Sequence, residues 1–498
     1  MAANVFKGPL ELIAPCCWRI PKSYKAGMRV DGIIFADHTL IEQIRNDQAP
    51  EQVANVAFLP GIQSASFAMP DIHWGYGFCI GGLCATDPNE GGVISPGGVG
   101  YDINCGVRLI RTDLDYDEVK PHLKALVNQL FRDVPSGVGR GGQFKLDRGE
   151  LTAVMQQGPR WFVEQRDLGV ADDIEFTEGS GCLAGADPSA VSPRAFARGA
   201  DQCGTLGSGN HFLEVQVVER IEDPIAAECM GIRAGQVCIM IHSGSRGLGH
   251  QVCTDYLARF RDLPQKHGIE LPDRQLVCAP SETSDGAAYI AAMRAAANFA
   301  WANRHLLMVL ARESFARVFG RPWSVLGMHL VYDVAHNIAK FEEHEVDGQR
   351  KRLWVHRKGA TRAFPPGHAE VPRRYRDIGQ PVMIPGSMGT ASWLLVGQPG
   401  SMERTFGTTC HGAGRRMSRG GAIRDAIARA GGHKHEIGDL IRRELEAKGI
   451  IAMSRTRKEL AEEQPKAYKD VDLVVEVVHK AGLSKKVARL RSIGVIKG

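Results

Sequence analysis

The sequence predicts a mixed α/β fold of the α+β kind, and three observations predict it. Short apolar runs with strand-like patterning recur along the chain. One long Ala-rich segment and two shorter amphipathic ones read as helices. The two kinds do not alternate as a parallel βαβ sheet requires, so neither a Rossmann nor a barrel topology is expected. Over 498 residues, length alone suggests about two to four domains. Gly and Pro are spread throughout, however, and no linker, low-complexity tract or repeat divides the chain. One large interleaved globule and several beads both fit.

The elements follow in order. "GVRLIRTDL" (106–114) reads as a strand, and "FLEVQVVE" (212–219) alternates apolar and polar residues as another. "VCIMI" (237–241) is wholly apolar and predicts a buried strand; "SWLLVG" (392–397) is a fourth. The segment 284–319 opens on Ser and Asp and has "GRP" beyond its end, which bounds a helix. The neighbourhood of His336, "VYDVAHNIAKFEEH" (331–344), also looks helical. "GAIRDAIARA" (421–430) and "EIGDLIRRELEAKG" (436–449) complete the helices.

Hydrophobic content of 44% and charged content of 23% allow a sizeable core. Net charge of +5 is too mild to establish nucleic-acid binding. The cations cluster, in 350–364, 371–376, 414–419 and the final "SKKVARLRSIGVIKG". Each run reads as solvated surface or as a phosphate-facing wall. No apolar stretch approaches the roughly 20 residues of a membrane span, and the N-terminus lacks a signal core. Twelve cysteines with no CxxC pair argue for a reducing, cytoplasmic setting and against zinc ribbons and thioredoxin-type centres.

Four segments carry candidate chemistry at or near Gly-rich element ends, where sites are commonly built. "SPGGVGYDINCGVRL" (95–109) presents Asp102 and Cys105, three residues apart, which can converge on one cation. "GTLGSGNHFLEVQ" (204–216) offers Asn210, His211 and Glu214. "VCIMIHSGSRGLGH" (237–250) offers His242 and Arg246, and the fourth segment offers His336. A turn Asp, a buried thiol or a packed helical histidine would explain each alone. Together, three imidazoles, a thiol and a carboxylate suit borderline divalent cations. Five ligands exceed a closed tetrahedral site but fit two cations bridged by the thiolate, an arrangement suited to displacement at phosphorus.

"TTCHGAGRRMSR" (408–419) adds His411, flanked by small residues and followed by three arginines. So bare a turn predicts an exposed imidazole with few packing neighbours, open to a bulky phosphate substrate. No GK dipeptide exists for a P-loop, and no Lys-x-Asp-Gly surrounds a nucleophilic lysine. A covalently held nucleotide would then need another nucleophile, and histidine can serve.

At these residues the chain resembles a known family. "PDIHWGYGFCIGG", "GGVGYDINCGVRL", "GSGNHFLE", "IHSGSRGLG", "DVAHNIAK", "HRKGATRAF", "IPGSMGTAS", "CHGAGR" and "GVIKG" occur in the order of the RtcB family of RNA-splicing ligases, from about residue 60 to the last residue. The first 30 or so residues match poorly. The resemblance implies a single ligase domain over residues 1–498, with strands ending in Gly-rich loops around a central metal cleft. It implies a cytoplasmic enzyme, dependent on GTP and two manganese ions, that joins RNA 2′,3′-cyclic phosphate or 3′-phosphate ends to 5′-hydroxyl ends. The substrates would be tRNA halves or cleaved RNA; archease is a partner of some members; no oligomeric state is implied. The implied metal ligands match Asp102, Cys105, His211, His242 and His336, and the guanylylated histidine matches His411. The nucleotide-binding residues match Asn210, His211, Glu214, His336, Ser387, Ser392, His411, Ala413, Tyr468 and Lys497. Phosphate and RNA contacts match Arg246, Lys358 and Arg419. A phosphohydrolase that only opens cyclic phosphates would use the same five ligands, but gives no reason for the His411 turn. A non-catalytic RNA-binding protein with structural metal would explain only the basic runs.

Overall fold

The computed structural model describes residues 5–137, 139 and 141–498. Hydrogen bonding sorts most strands into two large sheets. The first runs in the spatial order Glu11–Ala14, Cys17–Ile20, Asp31–Phe35, Ile62–His73, Ile80–Thr86, Gln349–Lys358, Asn337–Val346. It is antiparallel except where Asp31–Phe35 lies parallel to Ile62–His73. The second runs His329–Ala335, Gly106–Asp115, Gln236–Ser243, Phe212–Ile221, Ser484–Lys497, Ala391–Gly397, Pro381–Ile384. Its neighbours are antiparallel along that order, and Ile451–Met453 pairs parallel to Ser484–Lys497. The architecture is the mixed α/β class the sequence predicts. The N-terminal segment, given no role by the motifs, supplies three strands of the first sheet.

Strand bounds follow the patterning closely: Gly106–Asp115, Phe212–Ile221, Gln236–Ser243 and Ala391–Gly397. The long helix runs Ser284–Phe319, with the Thr283 hydroxyl accepting from the Gly286 amide and Gly320 left-handed at its end (φ 64°). It is buried along most of its length, so its Ala-rich surface lets neighbours approach from several sides. The shorter helices are Arg419–Arg429 and Ile437–Glu446. Among the described residues no helix is long and apolar enough to cross a membrane.

One expectation fails. His336 does not lie in a helix but between the strands His329–Ala335 and Asn337–Val346. The Ala and Glu content suggested a helix, yet Asn337–Val346 pairs residue for residue with Gln349–Lys358. Asp347 and Gly348, both at positive φ (51° and 74°), close that hairpin. A two-residue Asp-Gly turn is a strong hairpin signal, and it outranks the weaker helical composition. His336 thus sits where the chain leaves the second sheet and enters the first.

Candidate active site and metal centre

Register explains why the candidate ligands meet. Cys105 immediately precedes Gly106, which pairs with Ser243 on one side and Ala335 on the other. His242 pairs with Val107 and Phe212. His211 precedes Phe212, and Phe212 pairs with Lys497. Four adjacent strands, spaced about 4.8 Å apart, therefore present Cys105, His242, His211 and Lys497 at one end of the sheet, with His336 directly after the fifth. The long helix braces this end. Arg304, fully buried, pairs with Asp333 through two 2.8 Å bonds and donates to the carbonyls of Asn104 (2.6 Å) and Ser243 (3.0 Å). Those two residues adjoin Cys105 and His242.

The five expected ligands come together. Cys105 Sγ lies 3.4 Å from His211 Nε2 and 3.2 Å from His242 Nε2. His242 Nε2 lies 3.2 Å from His336 Nε2, and His211 Nε2 is 2.8 Å from an Asp102 oxygen. Two ligand triads result, Asp102/Cys105/His211 and Cys105/His242/His336, with Cys105 common to both. The Nδ1 atoms of His211 and His242 have no hydrogen-bond partner. Their rings are held by edge contacts instead, His211–His242 at 5.5 Å, His242–Phe212 at 5.4 Å and His242–His336 at 5.0 Å between centroids.

Electrostatics tests whether this set fits divalent cations. Burial pushes His242 and His336 well below the ordinary imidazole range, so both are neutral, the form that ligates. Burial, with the Asp102 carboxylate beside it, pushes the Cys105 thiol well above its ordinary value. Burial opposes Asp102's charge too, but the His211 ring outweighs it and holds that carboxyl low. Three imidazole nitrogens, a carboxylate and a thiol that only a strong positive charge would ionise converge in a buried pocket. The residues fit a pair of borderline cations sharing one sulfur.

His411 follows the short strand Thr408–Cys410 and faces the same pocket, its ring 5.0 Å from that of His336. It is not the exposed imidazole the bare turn predicted: its side chain is only 12% accessible. Its neighbours come from distant sequence. Asp71, on the strand Ile62–His73, places a carboxylate oxygen 2.5 Å from His411 Nδ1, and the same oxygen accepts from the amides of His411 (2.9 Å) and Gly412 (3.2 Å). Burial would raise the Asp71 carboxyl, but His411 and Lys469 hold it below its ordinary value. His73 stacks 6.5 Å from His411; burial drives it down to about 3, so it is neutral. Nδ1 faces Asp71 at ion-pair distance, though without the alignment of a full hydrogen bond, and Nε2 is the ring nitrogen left for chemistry. Gly414, at φ 70°, is also needed for packing, because a Cβ there would sit 2.1 Å from the Asp71 carbonyl oxygen.

A cleft of about 410 Å³ joins these groups. Asn210, Glu214, Ser387, Ala413, Tyr468 and Lys497 line it, as do Arg246, Lys358 and Arg419. Ser392 does not. It lies behind the wall, where its hydroxyl accepts from Gln216 Nε2 (3.0 Å), and the same Gln216 nitrogen donates to Glu214 (2.8 Å). Burial raises Glu214 to about 7, and burial lowers Lys497 against the pull of Glu463 and Glu214. The last strand is pinned rather than frayed, and the Gly498 amide donates to the His211 carbonyl (3.2 Å). Tyr468 bonds Glu463 through its hydroxyl and lies under the Arg415 guanidinium.

The basic runs divide. Lys358 reaches the cleft wall, but its ammonium donates to the carbonyls of Tyr76 (2.6 Å) and Phe78 (3.0 Å), and burial lowers it to about 8. Arg357 and Arg362, from the run read as surface or phosphate wall, are neither; they are buried against Glu342 and Glu178. Arg246 is buried at positive φ (54°), with Nε donating to Thr205 (3.1 Å). Gly207 makes room for it, since a Cβ there would lie 2.3 Å from the guanidinium and 2.5 Å from His211. Arg419 is half exposed near Glu463.

Sequence reading singled out neither Asp71, Arg304, Asp333 nor His250. Asp71 lay within a matched motif, "PDIHWGYG", and its place beside a histidine was the available signal. Arg304 and Asp333 gave none, because an arginine on a helix normally reads as solvated. His250 lines the cleft one helical turn after Arg246.

Comparison with known proteins places the chain among relatives over nearly its whole length. A family model described as "tRNA-splicing ligase RtcB" matches residues 52–498. The chain is 54% identical over 490 residues to a tRNA-splicing ligase RtcB of Thermococcus kodakarensis, covering 98% of this chain and 99% of that one. It is 54% identical over 492 residues to the Archaeoglobus fulgidus protein of the same name, covering 99% of each. An RNA-splicing ligase RtcB of Mycobacterium tuberculosis is 52% identical over 449 residues, 90% of this chain and all of that one. The archaeal matches extend well before residue 60, where the motif likeness began.

Proposed function

The chain belongs to the RtcB family of tRNA-splicing ligases, and from that premise we propose that it is a GTP-dependent RNA ligase joining 2′,3′-cyclic phosphate or 3′-phosphate ends to 5′-hydroxyl ends. The observation that carries the reading is His411 itself. Its Nδ1 is held by Asp71, and its ring faces a cluster suited to divalent cations at the end of a nucleotide-sized cleft.

Asp102, Cys105 and His211 would hold one manganese ion, and Cys105, His242 and His336 a second. Such a pair, when bound, neutralises phosphate charge and stabilises entering and leaving oxygens. The protein's own groups do the rest. Asp71 keeps the proton on Nδ1, leaving the Nε2 lone pair to attack the α-phosphorus of GTP. The N–P bond forms as the bond to the β-phosphate oxygen breaks, and pyrophosphate departs. The imidazole then carries positive charge opposite the Asp71 carboxylate. An RNA 3′-phosphate oxygen displaces the histidine, taking GMP and returning the ring to neutrality. The 5′-hydroxyl oxygen then attacks the RNA phosphorus, its proton is released, and GMP leaves. A cyclic phosphate is first opened by water, whose proton ends on the 2′-oxygen. Glu214 and Lys497 offer the guanine base an acceptor and a donor; Asn210, Ser387, Ala413 and Tyr468 form the rest of that wall. Arg246, Lys358 and Arg419 line the same cleft and would take the phosphates. Both tRNA halves and other cleaved RNAs carry such ends, and archease is a candidate activator.

The test uses purified protein, manganese, GTP labelled at the α-phosphate and RNA of defined ends. Wild type should retain acid-labile label and yield joined RNA. Opening of the cyclic phosphate with neither adduct nor joined product would replace the ligase by a phosphodiesterase.

A further inference from the structure

We propose that Lys469 is a positioning residue for guanylyl transfer, whose buried ammonium keeps the Asp71 carboxylate ionised and aimed at His411. The inference rests on the reading of His411 as the nucleophile. Lys469 follows Tyr468 and precedes the helix Val471–Lys480. Its side chain is buried, and Nζ donates to the carbonyls of Pro70 (3.1 Å) and Ile72 (2.5 Å), the residues on either side of Asp71. Its main-chain amide donates to the Gly414 carbonyl (2.9 Å), in the turn that carries His411. One residue therefore ties the Asp71 strand, the His411 turn and the Tyr468 wall together.

Charge balance gives this placement its purpose. Asp71 is fully buried, and its second oxygen, Oδ1, has no hydrogen-bond partner. An ionised carboxylate in such a place needs a nearby cation. A charged His411 would be the first such cation and Lys469 the second, but the attacking form of His411 carries no charge. His73 is neutral for the reason given above. Cys79 is pushed up to about 12 and Cys410 well above its usual range by burial, so both are uncharged thiols. A nucleophilic His411 is by requirement the neutral ring, and it turns cationic when it takes up GMP. Lys469 is left as the standing positive charge; burial lowers it to about 8, while Asp71 pulls the other way.

The carboxylate's state decides which ring nitrogen is nucleophilic. Ionised Asp71 accepts from Nδ1–H and leaves the Nε2 lone pair free. A protonated Asp71 would donate to Nδ1, the ring would carry its proton on Nε2, and that lone pair would be gone. Lys469 has no reach to the later step, in which the 5′-hydroxyl attacks RNA already carrying GMP.

Lys469→Met keeps the aliphatic stem and removes the charge. Adduct formation from labelled GTP is measured across pH 5–9 beside joining of RNA pre-activated with a 3′-guanylate. At pH 7 the adduct rate at saturating GTP should fall by roughly 10²-fold, and its acid limb should move to higher pH. The KM for GTP, manganese content and sealing of pre-activated RNA should stay close to wild type. Lys469→Arg should restore part of the rate. Asp71→Asn should lose adduct formation similarly, and the double variant should be no worse than the single ones. An unchanged pH profile in Lys469→Met overturns the proposal. So does a parallel loss of adduct formation and sealing with a lowered Tm, which would mark Lys469 as structural. Wild type that forms no adduct would defeat the ligase reading itself, and the role of Lys469 with it.

Discussion

The two ends of the cleft are built by different means. The cation end takes its side chains from adjacent strand ends of one sheet, fixed by register and by the buried Arg304–Asp333 pair. The His411 end is assembled from loops. Its central contact, His411 to Asp71, joins residues 340 apart in sequence. Register allows almost no adjustment, because a one-residue slip turns a side chain to the opposite face. Loops held by a few long-range hydrogen bonds can be altered one contact at a time. The cation end should therefore fail as a unit and the His411 end step by step.

Cys105→Ser is the strongest challenge to that contrast. A serine hydroxyl rarely ionises and is a poor bridge between cations. Adduct formation and sealing of pre-activated RNA should both be lost, with manganese content reduced on metal analysis. Full stoichiometry and full activity would make Cys105 an ordinary buried thiol. His411→Ala should abolish the adduct and joining of 3′-phosphate ends, yet leave pre-activated RNA to be sealed. A normal adduct in that variant would remove His411 from the mechanism.

The next effect is on stability. Arg304→Met leaves Asp333 buried with Arg108 alone, and removing a partner from a buried pair costs about 3–5 kcal/mol. Denaturant unfolding measures this, and manganese affinity should fall alongside, because the Asn104 and Ser243 carbonyls lose their donor. A stability loss below about 1 kcal/mol would show that Arg108 suffices. Lys497→Ala removes a charge-assisted donor worth about 1.5–3 kcal/mol, roughly ten- to a hundred-fold in GTP use. It should weaken discrimination against ATP and spare manganese binding; identical guanylylation curves would move base selection elsewhere.

The smallest effect separates the two ends by pH. Glu214 is raised from an ordinary 4.5 to about 7. The folded protein then holds a proton that the unfolded chain releases, so this group's contribution to stability is full below about 4.5 and lost as pH rises through 7. Guanine presents an amino donor, which only the ionised carboxylate accepts well. GTP use should weaken as pH falls below 7, by at most about tenfold per unit, and Glu214→Gln should flatten the profile. An equal slope in the variant would assign the dependence to another group.

The sequence was most legible where chemistry and local pattern coincide. Asp102, Cys105, His211 and His242 each stand at a glycine-rich strand end, so their residue type and their placement could be read together. His336 is legible by type, but the composition around it suggests a helix, and only the Asp347–Gly348 turn marks the hairpin. The exposure of His411 was misjudged because its neighbours, Asp71 and His73, arrive through the first sheet, and no local pattern records that. Arg357 and Arg362 show the same limit: a charge run does not reveal which members will meet buried carboxylates. Ser392, matched by resemblance to a nucleotide-binding position, stands behind the lining and bonds Gln216; a motif does not tell the lining from its backing.

The interleaving of the sheets has a consequence for how the molecule is made. Ser484–Lys497 lies inside the second sheet, flanked by Phe212–Ile221 and Ala391–Gly397. Loop-closure entropy must be spent before such distant pairings return anything, so folding is expected to be slow and to gather late. Until that strand is in place, Lys497 cannot reach Phe212, and Phe212–Ile221 presents an open edge to other chains. A chain released early from the ribosome would thus carry all five cation ligands but an unfinished sheet. It would be a candidate for aggregation and proteolysis rather than a weak enzyme.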